Sequence, residues 1–68
     1  MKWIGETGDL DNVKTGFGYY LGEPNGLFIS IEHQNNDNYR LQLRVRDNGL
    51  ALYFRTKYGS QWSEWKEL

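Results

Sequence analysis

The stretch Tyr39-Arg40-Leu41-Gln42-Leu43-Arg44-Val45-Arg46 alternates apolar and polar side chains without a break. Successive side chains of a strand point to opposite faces, so Tyr39, Leu41, Leu43 and Val45 share one face, and Arg40, Gln42, Arg44 and Arg46 the other. Helical spacing would scatter the same apolar residues around a cylinder, so a strand is the better fit. The apolar row is expected to point inward and the Arg/Gln row outward. Like charges along one strand repel, so the neighbouring strands are expected to set acids or aromatics beside the arginines.

Working outward, Asp47-Asn48-Gly49 reads as a hairpin turn. Leu50–Thr56 then forms a second strand, with Tyr53 and Arg55 on the face of the Arg/Gln row. On the other side, Leu27–His33 and Gly16–Leu21 read as strands, with Phe17, Tyr19 and Leu21 sharing one face. Gly22-Glu23-Pro24-Asn25-Gly26 separates these two by strong turn chemistry, and Asn35-Asn36-Asp37-Asn38 is a turn by composition. The segment before Gly16 is polar apart from Trp3, Ile4, Leu10 and Val13. Lys2–Ile4 could be a short edge strand, or residues 1–8 a loose lead-in. Gly8–Asn12 reads as a turn or as one helical turn that Asp9 is placed to cap. Beyond Tyr58-Gly59-Ser60-Gln61, which turns the chain, Trp62–Leu68 closes as a last strand or an extended tail. The sequence thus predicts one all-β module over residues 1–68 with about five strands. It would be a small single antiparallel sheet or a compact sandwich or barrel-like unit, with no helix longer than about a turn.

The chain has 68 residues and no cysteine, so it has neither a disulfide nor a thiolate zinc site to staple a small core. A single histidine, His33, rules out a His-rich metal cluster. What remains is aromatic packing, from three Trp, five Tyr and three Phe, or association with copies and neighbours. The net charge of −1 argues against a general nucleic-acid binder. No basic start followed by an apolar run reads as a signal peptide, and no stretch could span a membrane as a helix.

Chemistry is scarce. His33 has no evident catalytic partner and reads as structural. No nucleophile elbow, phosphate-cradling loop or metal-spaced cluster is present. Asp9 and Asp11 lack the regular series of oxygen ligands that a calcium loop needs, so turn and cap chemistry explains them better. An enzyme is not expected of so short a chain, and no cofactor or metal is implied. Two features stand out. The row of Arg40, Gln42, Arg44 and Arg46 could be a planar-donor surface for sugars, carboxylates or phosphates, or an ordinary sheet face, solvated or covered by the N-terminal segment or by another subunit. Trp62 and Trp65 stand three apart near the chain end. A regular strand would put them on opposite faces, and a bulge would set them side by side. They anchor the closing strand, or at least one of them is a platform for a ligand.

The ending Tyr53-Phe54-Arg55, a short turn with Gly59, then Trp62-Ser63-Glu64-Trp65-Lys66-Glu67-Leu68 resembles that of the phage tail-fibre "pyocin knob" domains. The opening Asp9-Leu10-Asp11-Asn12-Val13-Lys14-Thr15-Gly16-Phe17-Gly18-Tyr19-Tyr20 is similar to the start of that family. Gln42 falls where its middle strand often carries Gln. Glu64 stands where Pro is common. The resemblance implies a non-enzymatic module of a tail fibre or receptor-binding protein in the virion. Such proteins are commonly homotrimers that contact host surface glycans. Trp62, Trp65 and Tyr53 would then stack on sugar faces, and Arg55, Arg44 and Gln42 would supply planar hydrogen bonds. The alternative is a structural trimerisation or spacer knob with no ligand of its own.

Overall fold

A computed structural model describes residues 1–22, 25–33, 36–47, 49 and 51–68, with residues 36–38 described in their backbone only. Strands β1 (Trp3–Thr7), β2 (Gly16–Tyr20), β3 (Gly26–His33), β4 (Asn36–Val45), β5 (Leu52–Tyr58) and β6 (Gln61–Trp62) lie side by side in sequence order. A further two-residue strand, β7 (Lys66–Glu67), pairs with β5 beyond β6. The all-β reading holds, but the sheet is mixed and its strands are more numerous than expected. β1 runs parallel to β2, because the chain between them crosses over one face before re-entering the sheet. The expected last strand is broken into β6 and β7. The crossover carries a single 3-10 turn, Leu10–Asn12, capped as expected by Asp9, whose carboxylate accepts from Asp11 N at 3.2 Å.

β4 begins at Asn36, so Asn36–Asn38 continue the strand where a turn was expected. The expectations that fell on Glu23, Pro24, Asn35, Asn48 and Leu50 lie outside the described residues.

The two faces of the sheet are inverted relative to the sequence reading. The row expected outward is the buried one: Gln42 is 0% exposed and Arg44 8%. The row expected inward is open, with Leu27 59%, Ile31 44% and Tyr39 48% exposed. The crossover explains this. A segment lying across a sheet must find donors for its carbonyl groups. The carbonyls of Leu10, Asp11, Val13 and Lys14 all accept from side chains of the polar row or of Ser30 beside it. Leu10 and Val13 bring the apolar burial, closing on Phe28, with Tyr20 and Trp65 at the margin of this small core.

Gly18 is required by the same closure. It pairs with Phe28, and a methyl group there would run into the carbonyl oxygen of Gly5 and stand 3.1 Å from the Phe28 ring.

Candidate functional site

All six residues singled out as ligand contacts lie together on the covered face. The ladder places Gln42 opposite Arg55 and Arg44 opposite Tyr53 on β4 and β5, so the four side chains form a compact square. Ser30 on β3 pairs with Gln42 from the other side. Gln42 Nε2 donates to Leu10 O at 2.7 Å and to Ser30 Oγ at 3.1 Å, and the one proton of Ser30 Oγ is shared between the Val13 and Lys14 carbonyls at 3.1 and 3.0 Å. The Gln42 oxygen accepts from Arg55 Nε at 2.9 Å, and Arg55 Nη2 reaches Asp11 Oδ1 at 2.8 Å. Arg40, at the next inward position, pairs with Glu32 at 2.9 Å and donates to Asp11 O at 2.8 Å.

The tryptophans close the outer side. Between the pairs Lys57–Trp62 and Phe54–Lys66, three tail residues (Ser63, Glu64, Trp65) span two residues of β5. That extra residue is a bulge, and it brings Trp65 to the same face as Trp62. The bulge is held by Ser63, whose N–H donates to Thr56 O at 2.8 Å while its Oγ accepts from Thr56 N at 3.0 Å. The result is a stack in which cations and rings alternate. Arg55 Cζ lies 3.8 Å from the Trp62 centroid and 4.7 Å from that of Trp65. Arg44 Cζ lies 4.4 Å from Trp65, 5.1 Å from Tyr20 and 5.7 Å from Tyr53. Each desolvated contact of this kind contributes about 0.5–2 kcal/mol. Among the described residues Arg44 Nε meets no hydrogen-bond acceptor, so ring faces are what its charge encounters.

This arrangement turns part of the expected site into the fold. Gln42 has no exposed surface, and Arg44 and Arg55 are over nine-tenths buried, so their donors are turned into the fold. Trp62, Trp65 and Tyr53 are half-buried and keep outer surfaces in solvent. Arg46 is exposed, at the end of the row and beyond the crossover's cover. Asp9 spends both carboxylate oxygens on its own turn, the second accepting from Asn12 Nδ2, which bears out the cap reading. His33 stacks on Tyr39 with ring centroids 6.2 Å apart. Sequence reasoning missed Asp11, Ser30, Glu32 and Tyr20 as parts of the cluster. Ser30 carried the one usable signal, a small hydroxyl in the middle of an otherwise apolar run.

The arrangement can hold a polypeptide segment by its carbonyls and fix cations between rings. Among the described residues no three His, Asp or Glu side chains converge as metal ligands would. No family model, no curated protein and no solved structure matches the chain.

Proposed function

We propose that this chain is a non-enzymatic structural module of a phage-type tail fibre in the virion, and that its Trp/Arg face is a folding lock with no ligand of its own. The observation that carries this reading is the commitment of Gln42, Arg44 and Arg55. Their surface is under a tenth exposed, and the donors of Gln42 and Arg55 are engaged with the Leu10–Asn12 turn or with each other. The placement in a tail fibre rests on the resemblance of the Trp62–Leu68 ending and the Asp9–Tyr20 opening to the pyocin knob domains. Neighbouring fibre domains or further copies of the chain are the partners this role needs.

Glycan contact is the second reading, favoured by the solvent-facing surfaces that Trp62, Trp65 and Tyr53 retain. Aromatic faces of that kind suit stacking on a sugar ring. Tryptophan fluorescence titrated with lipopolysaccharide and cell-wall oligosaccharides separates the two. The lock reading expects no saturable change, together with loss of folding in Arg55→Ala. A saturable change that disappears in a folded Trp62→Ala chain would establish the glycan reading instead.

A further inference from the structure

Among the described residues nothing covers the second face of the sheet. Leu27, Ile29 and Ile31 on β3, Tyr39 and Val45 on β4, and Leu52 and Tyr58 on β5 are all exposed. No described Lys, Arg, Asp or Glu points from this face on β2 to β5; Glu6 and Asp47 stand at its rim. Among the described residues three apolar side chains are buried on the covered side, namely Leu10, Val13 and Phe28. Exposed apolar patches of this extent mark interaction surfaces.

We propose that a second copy of this chain covers the open face, sheet on sheet, about a two-fold axis lying between the sheets and across the strands. Three observations select a copy and this axis. The molecule measures 35 × 24 × 17 Å, so its broad side offers the footprint of an ordinary stable interface, about 800 Å² per partner. Over β2 to β5, where no described fixed charge points outward, the face meets itself with no like-charge cost, and Lys66, opposite Phe54 on β7, stands at its edge. Its relief is also self-complementary. Phe17, Leu27, Ile29, Leu43, Val45 and Leu52 line a hollow of about 290 Å³ at one end of the strands. Tyr39 and Tyr58, ring centroids 6.0 Å apart and edge to face, stand at the other end, Tyr58 being 77% exposed. An axis across the strands reverses one copy end for end. Each pair of tyrosines then falls over the partner's hollow, twice per dimer, as an isologous interface requires. An axis along the strands, or a three-fold axis, would instead set tyrosine against tyrosine and hollow against hollow.

This pairing rests on the structural-module part of the proposed function and replaces the three-fold association that the tail-fibre resemblance implies, and it is tested on the opposite face of the sheet. Failure here leaves the Trp/Arg lock intact, and a glycan signal from Trp62 would leave the pairing intact. Sedimentation of the unmodified chain at micromolar concentration is expected to show a dimer. Ile29→Lys places a charge at a position that is exposed in the single chain and covered in the pair. It is expected to weaken association at least about 100-fold. Orientation is read by cross-linking, which the absence of native cysteine makes clean. Tyr58→Cys and Leu52→Cys chains, mixed and treated with a short bis-maleimide, are expected to give a mixed dimer, and neither chain alone a cross-link. In the proposed pair, like positions lie six residues apart along the strands, roughly 20 Å. A monomer or a trimer in sedimentation, an unaffected Ile29→Lys, or self-linking of Tyr58→Cys would each overturn the proposal.

Discussion

Arg55 Nε donates to Gln42 Oε1 at 2.9 Å across two directly paired residues of neighbouring strands. This bond fixes which way the Gln42 amide points. With its oxygen held by Arg55, its NH₂ group must face the turn, where Leu10 O accepts at 2.7 Å. One side chain thus ties the sheet's charge to the backbone of the segment that covers it. The fold's tertiary order hangs on a polar contact more than on the few buried apolar side chains.

Gln42→Leu should therefore cost more than its isosteric size suggests. It leaves Arg55 Nε and the Leu10 carbonyl buried without this partner, and each such group costs about 1–3 kcal/mol. Urea denaturation is expected to show a loss of about 3 kcal/mol, and Ser30→Ala a smaller one. If Gln42→Leu matches the unmodified chain, the amide is not what holds the turn.

Trp65 lies between two guanidinium groups and against the apolar core. Trp65→Ala removes ring faces from both Arg44 and Arg55 and opens the margin beside Phe28. A loss of about 3 kcal/mol is expected, at the lower end of the range for large aromatic truncations because the indole is only half-buried. Arg55→Lys should also destabilise, since an ammonium cannot bond Gln42 and Asp11 together while lying flat on Trp62. Thermal melts of both variants check this. Unchanged melting would mean that the indoles are ornaments of the surface rather than parts of the fold.

How far the sequence could be read follows from these residues. Alternation through Tyr39–Arg46 assigned the strand and sorted its side chains correctly into two rows. Alternation cannot say which row is covered, because that depends on what crosses the sheet. Here the covering segment is short and mostly polar, with Leu10 and Val13 its only buried apolar residues, so it prefers the row able to hydrogen-bond it. The expectation that aromatics would stand beside the arginines followed from charge repulsion, and it holds at Tyr53, Trp62 and Trp65. Parity placed Trp62 and Trp65 on opposite faces unless a bulge intervened. The bulge lies in backbone geometry that no residue type in Ser63-Glu64 announces.

Gly18 sits where the β1 backbone and the Phe28 ring both approach. Gly18→Ala is expected to cost about 2 kcal/mol, the scale of forced overpacking. The damage should be local to the β1–β2 pairing, so hydrogen exchange of the β1 amides should speed up before that of β4. Equal acceleration throughout the sheet would show that β1 is not a separable edge.

Tyr19 donates its hydroxyl proton to Asp47, and that bond, together with the nearby negative charge of Asp47 and Glu6, raises its pKa above the ordinary value of 10.0. The folded chain thus holds this proton more tightly than the unfolded one. The stabilisation is complete below the unfolded pKa and is lost as pH rises through the folded one. Ultraviolet titration should find one tyrosine ionising later than a free phenol, and Asp47→Asn should bring it back down. A Tyr19 signal unaffected by Asp47→Asn would remove the carboxylate as the cause.

The bulge in the tail makes a prediction of parity. Removing Glu64, which is exposed, leaves Ser63 and Trp65 to span Thr56 and Arg55 one for one. Trp62 and Trp65 then still share the arginine face, and Lys66 still meets Phe54. The deletion should be tolerated, at a cost of about 1 kcal/mol for lost local twist. Removing both Ser63 and Glu64 shifts the side chains by one more step and turns Trp65 to the opposite face. That deletion should be as damaging as Trp65→Ala. Tryptophan emission reports the difference directly, because a Trp65 turned to the open face loses both guanidinium neighbours. Should the single deletion prove the more harmful of the two, the register of β7 on β5 would be wrong, and with it the account of why the two indoles lie side by side.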